Sequence, residues 1–217
     1  MDHDFWRARW QSGDIGFHRD APNSLLVEHA NYFAGASRVY APLCGKSLDL
    51  TFLRSRGHHV FGTELAHEAI EQLFDELKEK PARSTRGPYQ VYEVDRLTIL
   101  EGDAFALEAE HLGGKVDAIY DRGSLVAVDP RTQRRQLLDS FGRVLSPKGR
   151  IGVIVFEYDQ SKANGPPWSV SPKDAAELFS TFGVPRLLGE RPESVSPRLA
   201  EAGIATIAER FYAIGGE

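Results

Sequence analysis

The stretch Val39-Tyr40-Ala41-Pro42-Leu43-Cys44-Gly45-Lys46-Ser47 constrains the fold more than any other part of the chain. An apolar strand pattern runs straight into a small-residue turn, and Leu48, Leu50, Phe52 and Leu53 then recur at helical spacing. A strand that stops at a turn and feeds a helix is where doubly wound α/β sheets hold a nucleotide-like ligand. Next, His59-Val60-Phe61-Gly62-Thr63-Glu64 reads as a second strand, ending in a carboxylate. Glu64 follows the turn by about 20 residues, the offset at which an acid meets a ribose hydroxyl pair. The two elements in this order predict an α/β sheet covered on both faces, with a ligand at its carboxyl edge.

The rest of the chain continues the alternation. Residues 4–12 predict a short helix carrying Phe5, Trp6 and Trp10, closed by Gly13-Asp14-Ile15-Gly16 and followed by Phe17 and His18. Its two tryptophans either pack the segment onto the body or form a lid, since flat aromatic faces suit a partly apolar or cationic ligand. Residues 23–34 predict a second helix capped by Asn23 or Ser24. Residues 66–80 repeat Ala69, Ile70, Leu73, Phe74 and Leu77 at helical spacing, and Pro81 ends them. Residues 81–88 are expected to be a surface loop. Residues 89–94 and 97–100 alternate like a hairpin, the second strand leading to Gly102-Asp103-Ala104. Residues 116–120 form a buried strand pattern ending in Asp121-Arg122-Gly123-Ser124. Asp129-Pro130 starts a helix running to about residue 145. Residues 150–158 are the most strand-like stretch, and a Gly/Pro-rich loop reaches Trp168. Ser171-Pro172-Lys173-Asp174 opens another helix as a capping box. Residues 184–190 and 204–214 close the chain as antiparallel strands. No internal repeat or linker interrupts the pattern, so residues 1–217 read as one domain, with residues 1–35 as an N-terminal helical segment.

Charge and motif content narrow the function. A net charge of −5 argues against broad nucleic-acid binding, which calls for a basic face. No apolar run approaches the roughly 20 residues that span a bilayer. The first residues lack the basic and apolar stretches of a secretory signal. The lone Cys44 forms no internal disulfide, which suits a reducing, cytoplasmic setting. Cys44-Gly45-Lys46-Ser47 imitates the end of a P-loop, but the loop's first glycine would fall at Tyr40, inside the strand. The G-x-G-x-x-G fingerprint is missing as well, which disfavours a pyrophosphate and favours a cofactor without phosphates. S-adenosyl-L-methionine has that composition: adenine, ribose and an amino acid joined through a sulfonium. The histidines show no metal-ligand spacing, and no metal site is expected.

Several residues admit two readings each. Glu64 and Asp103 either bind ribose and adenine or simply cap the helices they precede. Arg122, at a strand's carboxyl end, needs a carboxylate partner, either the adjacent Asp121 or one carried by the ligand. Arg131, Arg134 and Arg135 are expected on a solvated helix face. Tyr158 and Trp168 bracket the Gly/Pro loop, as walls of a substrate pocket or as cover for the sheet.

The combination resembles the thiopurine S-methyltransferase family of class I S-adenosylmethionine-dependent methyltransferases, over nearly the whole chain and in its shorter bacterial form. The resemblance lies in Trp6-x-x-x-Trp10-x-x-Gly13-x-x-Gly16-Phe17-His18, in Pro42-Leu43-Cys44-Gly45-Lys46-Ser47-Leu48-Asp49-Leu50 and in Gly62-Thr63-Glu64-Leu65. Two later blocks complete it, Tyr120-Asp121-Arg122-Gly123-Ser124-Leu125-Val126-Ala127 and Gly165-Pro166-Pro167-Trp168-Ser169-Val170. It implies a single doubly wound, Rossmann-like domain, mostly parallel, with an antiparallel C-terminal hairpin and an N-terminal helical lid. It also implies that Trp6 and Trp10 cover the cofactor, Leu43 meets its methionine portion, Glu64 its ribose, and Asp103 and Ala104 its adenine. Arg122 would lie beside both cofactor and acceptor, with Phe17, Tyr158 and Trp168 on the acceptor side. Trp168 stands where phenylalanine is common, and Asp159 where bacterial relatives often carry proline, so the acceptor is the less determined partner.

The expected reaction is S-methyl transfer to an aromatic or heterocyclic thiol. Such acceptors are largely thiolate near neutral pH, so no dedicated base is needed and catalysis rests on alignment and water exclusion. Methylation of selenium or tellurium compounds in detoxification is the alternative, and a non-catalytic cofactor-binding module is a third. The partners expected are a small thiol or metalloid, with no nucleic acid, no membrane and a monomeric chain.

Overall fold

In the computed structural model, which describes residues 3–216, the chain enters through two helices, α1 (His3–Ser12) and α2 (Ser24–Glu28). Met1, Asp2 and Glu217 lie outside the described residues. Asn23 caps α2 by accepting from the Leu25 and Leu26 amides, and a 3-10 turn at Ala30–Phe33 replaces the second half of the expected helix. The alternation follows: β1 (Arg38–Ala41), α3 (Leu48–Ser55), β2 (His59–Glu64) and α4 (His67–Leu77). Then come β3 (Ala82–Arg86), β4 (Tyr89–Val94), β5 (Leu97–Glu101) and β6 (Val116–Arg122). The C-terminal half comprises α5 (Ser124–Ala127), α6 (Arg134–Val144), β7 (Leu145–Glu157) and α7 (Pro172–Leu178). It ends with β8 (Arg186–Glu193), α8 (Pro197–Glu201) and β9 (Ile207–Gly215).

Among the described residues, nine strands join one sheet in the order β3-β4-β5-β2-β1-β6-β7-β9-β8. The five central strands are parallel, and antiparallel strands flank them on both sides. From β1 the chain winds outward through β2, then returns to place β6 on the other flank. The strand order therefore reverses between β1 and β6, which opens a crevice at their carboxyl ends.

Strand alternation divides the core. Val39, Ala41, Val60, Ala118 and Tyr120 meet apolar residues of α2, α3 and α4 on one face. Tyr40, Phe61 and Ile119 meet α5, α6 and α7 on the other. The sheet is thus buried on both faces, which explains why its central strands read as continuous apolar runs.

Further expectations need correction. Residues 82–86 are a strand rather than a loop, pairing with β4 from Ala82↔Glu93 to Arg86↔Tyr89. This edge strand is mostly exposed and polar, so it carries no apolar alternation to read. Arg134 is buried, with 4% of its surface exposed, and does not belong to a solvated face. The helix carrying it starts at Arg134 rather than Asp129, because Asp129 caps a preceding turn through the Arg131 and Thr132 amides.

Candidate functional site

The turn after β1 and the end of β2 are joined through a single carboxylate. Glu64 Oε2 accepts from the Gly45 amide at 2.8 Å, while Oε1 accepts from Leu65 and Ala66 at 2.8 and 2.7 Å. Glu64 therefore binds the backbone ahead of α4 and also fixes the turn. Burial raises its pKa, and the three amide hydrogen bonds oppose that shift. Oε1 is filled by two donors, whereas Oε2 has one and retains a lone pair for a ligand hydroxyl. Leu43 occupies the left-handed region at φ 45° in the same turn, and the Cys44 amide donates to the Thr63 carbonyl.

β5 brings a second acid to this edge. The Gly102 amide donates to the Glu64 carbonyl at 2.9 Å, which sets Asp103 and the buried Ala104 immediately beyond. Asp103 Oδ1 caps the next turn through the Phe105 amide, and its carbonyl accepts from the Tyr89 hydroxyl.

Trp10 lies over the turn. Its side chain is buried against Ala66 and Ala69, and a Cβ on Gly45 would lie 2.9 Å from its ring. Phe17 meets Trp10 and Trp6 edge-on, with ring centroids 5.5 and 5.7 Å apart. Gln11 donates to Glu68 on α4, and Arg19 pairs with Glu193 on β8, so the segment spans this edge of the sheet. A buried carboxylate with a lone pair to spare, an acid beside a buried alanine, a tight turn and an aromatic cover together have the chemistry to take an adenosyl amino acid.

Arg122 ends β6 on the neighbouring strand. Its Nε donates to Asp49 Oδ2 and its Nη2 to Ser47 Oγ at 2.9 Å. Asp49 also accepts from the Asn23 amide at 2.6 Å and the Tyr120 hydroxyl at 2.9 Å. Burial acts to lower the Arg122 pKa, but Asp49 beside it holds the guanidinium above its usual value. The two bonds use two of five N–H donors, and 16% of the side chain remains exposed. Asp121 is not the partner: consecutive strand residues face opposite ways, and Asp121 instead accepts from the Ser124 amide at the start of α5. Burial pushes the Asp121 carboxyl up to about 6, against the pull of the Ser124 and Leu125 amides.

The loop carrying Trp168 packs on α5, which directly follows the Arg122 turn, and on the end of β7. The Trp168 amide donates to the Val126 carbonyl at 2.6 Å, and the Tyr158 hydroxyl to the Pro167 carbonyl at 2.6 Å. Tyr158 thus spends its hydroxyl on the loop.

Leu43, Glu64, Asp103, Ala104 and Trp10 therefore gather around the β1, β2 and β5 ends, with Arg122 beside them on β6. Tyr158 and Trp168 form a separate group linked through α5. Sequence reasoning named Asn23 as a cap, which it is, but missed Asp49 as the partner of Arg122, the Asn23 amide that supports it and the burial of Arg134. Alternation along β6 held the signal for Asp49, since it directs Arg122 away from Asp121. Among the described residues, no cluster of three or more His, Cys, Asp or Glu could hold a metal ion. Among the same residues, no helix is long and apolar enough to cross a membrane.

Comparison with known proteins gives a consistent result. A family model described as thiopurine S-methyltransferase matches residues 1–217. A thiopurine S-methyltransferase of Pseudomonas fluorescens is 36% identical over 215 residues, covering 98% of both chains. A probable thiopurine S-methyltransferase of Yarrowia lipolytica is 37% identical over 217 residues, covering 98% of this chain and 99% of the other. Among solved structures, a Burkholderia thailandensis 1,6-didemethyltoxoflavin-N1-methyltransferase, determined with S-adenosylhomocysteine, superposes with a TM-score of 0.62. It is 18% identical and covers 98% of this chain and 87% of its own.

Proposed function

The chain belongs to the thiopurine S-methyltransferase family and is an S-adenosylmethionine-dependent methyltransferase; on that premise, we propose that its acceptor is an aromatic or heterocyclic thiol, taken as the thiolate. The observation that supports this reading is the anchored guanidinium of Arg122, fixed by Asp49 and Ser47 with donors to spare. A delocalised thiolate is attracted by such a cation without being protonated by it, because an arginine does not surrender its proton.

S-adenosylmethionine supplies an electrophilic methyl group on a sulfonium. Glu64 holds the ribose through Oε2, Leu43 and its turn meet the methionine portion, and Asp103 and Ala104 flank the adenine. Trp10, Trp6 and Phe17 cover the site and exclude water, which strengthens the interaction between Arg122 and the anion. The acceptor enters already ionised, so no side chain removes a proton, and rate depends on alignment. Trp168 and its loop form the far wall of the acceptor site. We further infer a cytoplasmic, monomeric enzyme of detoxification.

Methyl transfer to 6-mercaptopurine, thiophenol, selenite and tellurite, followed with labelled cofactor, tests the acceptor class. Turnover of the two thiols, reduced more than cofactor affinity by Arg122→Ala, is expected. Turnover confined to selenite or tellurite assigns the metalloid alternative. Equal losses of turnover and cofactor affinity in Arg122→Ala remove Arg122 from the acceptor role.

A further inference from the structure

The acceptor-side loop is held chiefly by its carbonyl groups. Arg198 donates to the Asn164 and Pro166 carbonyls at 2.8 and 2.6 Å, and Tyr158 to Pro167. The next two carbonyls, of Trp168 and Ser169, both accept from Arg134 Nη2, at 3.3 and 3.0 Å. The same guanidinium reaches the other way: Arg134 Nε donates to the Leu125 carbonyl at 2.9 Å. Leu125 lies in α5, directly after the Arg122 turn. Arg134 is buried and bonds three carbonyls, so it bridges the two segments between which the proposed acceptor site lies.

A cation buried on neutral carbonyls carries a desolvation cost that no adjacent counter-ion offsets. Asp174, Asp121 and Asp129 attract it, but burial outweighs them and lowers its pKa. An apolar residue would fill the same space without that cost. Only a guanidinium offers donors on two edges of one rigid plane, so it can set the distance between two chain segments.

We propose that Arg134 is a positioning residue of the methyltransferase, fixing the Trp168 loop against α5 so that the acceptor wall is built before the acceptor arrives. The inference rests on the reading of Trp168 as part of that wall. Arg134 touches neither cofactor nor acceptor and acts on turnover through Trp168. Its loss therefore weakens acceptor binding and leaves the β1, β2 and β5 ends, where the cofactor sits, undisturbed.

Wild type, Arg134→Lys, Trp168→Ala and the double variant test this, each measured for S-adenosylmethionine affinity by calorimetry and for KM and kcat with 6-mercaptopurine. Lysine keeps the charge but loses the two-edged fork. Arg134→Lys should raise KM about 10-fold and shift cofactor affinity less than about 3-fold. In the double variant it should add nothing to the effect of Trp168→Ala. A fall in cofactor affinity matching the rise in KM, or additive effects in the double variant, overturns the proposal. An increased KM in Trp168→Ala with none in Arg134→Lys overturns the role of Arg134 alone. An unchanged KM in Trp168→Ala overturns the wall reading and the proposal with it.

Hydrogen exchange tests the same point without an acceptor, even if 6-mercaptopurine is not turned over or Arg134→Lys is weakly folded. In wild type the Trp168 amide, bonded to Val126, should exchange slowly with no ligand present. In Arg134→Lys it should exchange about 10-fold faster, with the β7 amides unchanged. Rapid exchange in wild type, or equal acceleration at β7, overturns the proposal.

Discussion

Replacing Arg122 by methionine tests the anchored cation directly. The change keeps the aliphatic length of the side chain and removes its bonds to Asp49 and Ser47. Asp49 stays behind with 1% of its side chain exposed, held by the Asn23 amide and the Tyr120 hydroxyl. Breaking a buried pair by removing one partner costs about 3–5 kcal/mol. The two neutral donors left on Asp49, and the partial exposure of Arg122, place this case at the lower end, about 3 kcal/mol. For a chain of this length that lowers Tm by about 6–12 °C. Asp49→Asn removes the same ion pair from the other side but leaves Arg122 its Ser47 bond and some solvent, a loss of about 2 kcal/mol. Because both substitutions delete one interaction, the double variant should lose about 3 kcal/mol rather than 5, a coupling of about 2 kcal/mol. Urea unfolding followed by circular dichroism at pH 7 measures all four proteins. Additivity to within about 0.5 kcal/mol would refute the pairing and return Arg122 to the surface.

Other perturbations follow from the same geometry. Glu64→Gln places an NH2 group among three amide donors, so stability should fall by about 1–3 kcal/mol and cofactor affinity about 10-fold or more; calorimetry showing unchanged affinity would remove Glu64 from the ribose. Asp121 has a folded pKa raised to about 6 by burial, above the unfolded value of 3.8, so its contribution is fully present only below that unfolded value and is lost as pH rises through 6. Wild type should therefore gain about 2 kcal/mol relative to Asp121→Asn between pH 7 and pH 4; parallel stability curves would contradict this. A Cβ on Gly62 would sit 2.6 Å from Cys44 Sγ and 2.8 Å from Ile99 Cδ1. Gly62→Ala should cost about 1–3 kcal/mol, and Cys44→Ala should recover part of that loss in denaturant titrations.

The features legible in the sequence are those encoded by near neighbours. The strand, turn and helix at residues 38–55 were readable because apolar period, small-residue turn and Ser47 cap all lie within a few residues of one another. The capping box at Ser171 and Asp174 is present for the same reason. Glu64 was identifiable by its place after an apolar strand, although the sequence alone did not separate capping from ligand binding. The structure finds Glu64 accepting through Oε1 from the Leu65 and Ala66 amides, ahead of α4, and tying the turn through Oε2.

Other features depended on distant segments. Residues 82–86 become a strand through pairing with β4, and their polar sequence carries no periodic trace of that pairing. Arg134 looked like its exposed neighbours Arg131 and Arg135, because burial at that position comes from the returning loop and from α5. The choice of Asp49 over Asp121 as partner to Arg122 spans 73 residues of chain. Local spacing and period determined the α/β class, the turn and the residues available at its edge. Which charges meet was decided by tertiary structure, because a side chain's partner depends on strand register and on crossings that bring remote segments within bonding distance.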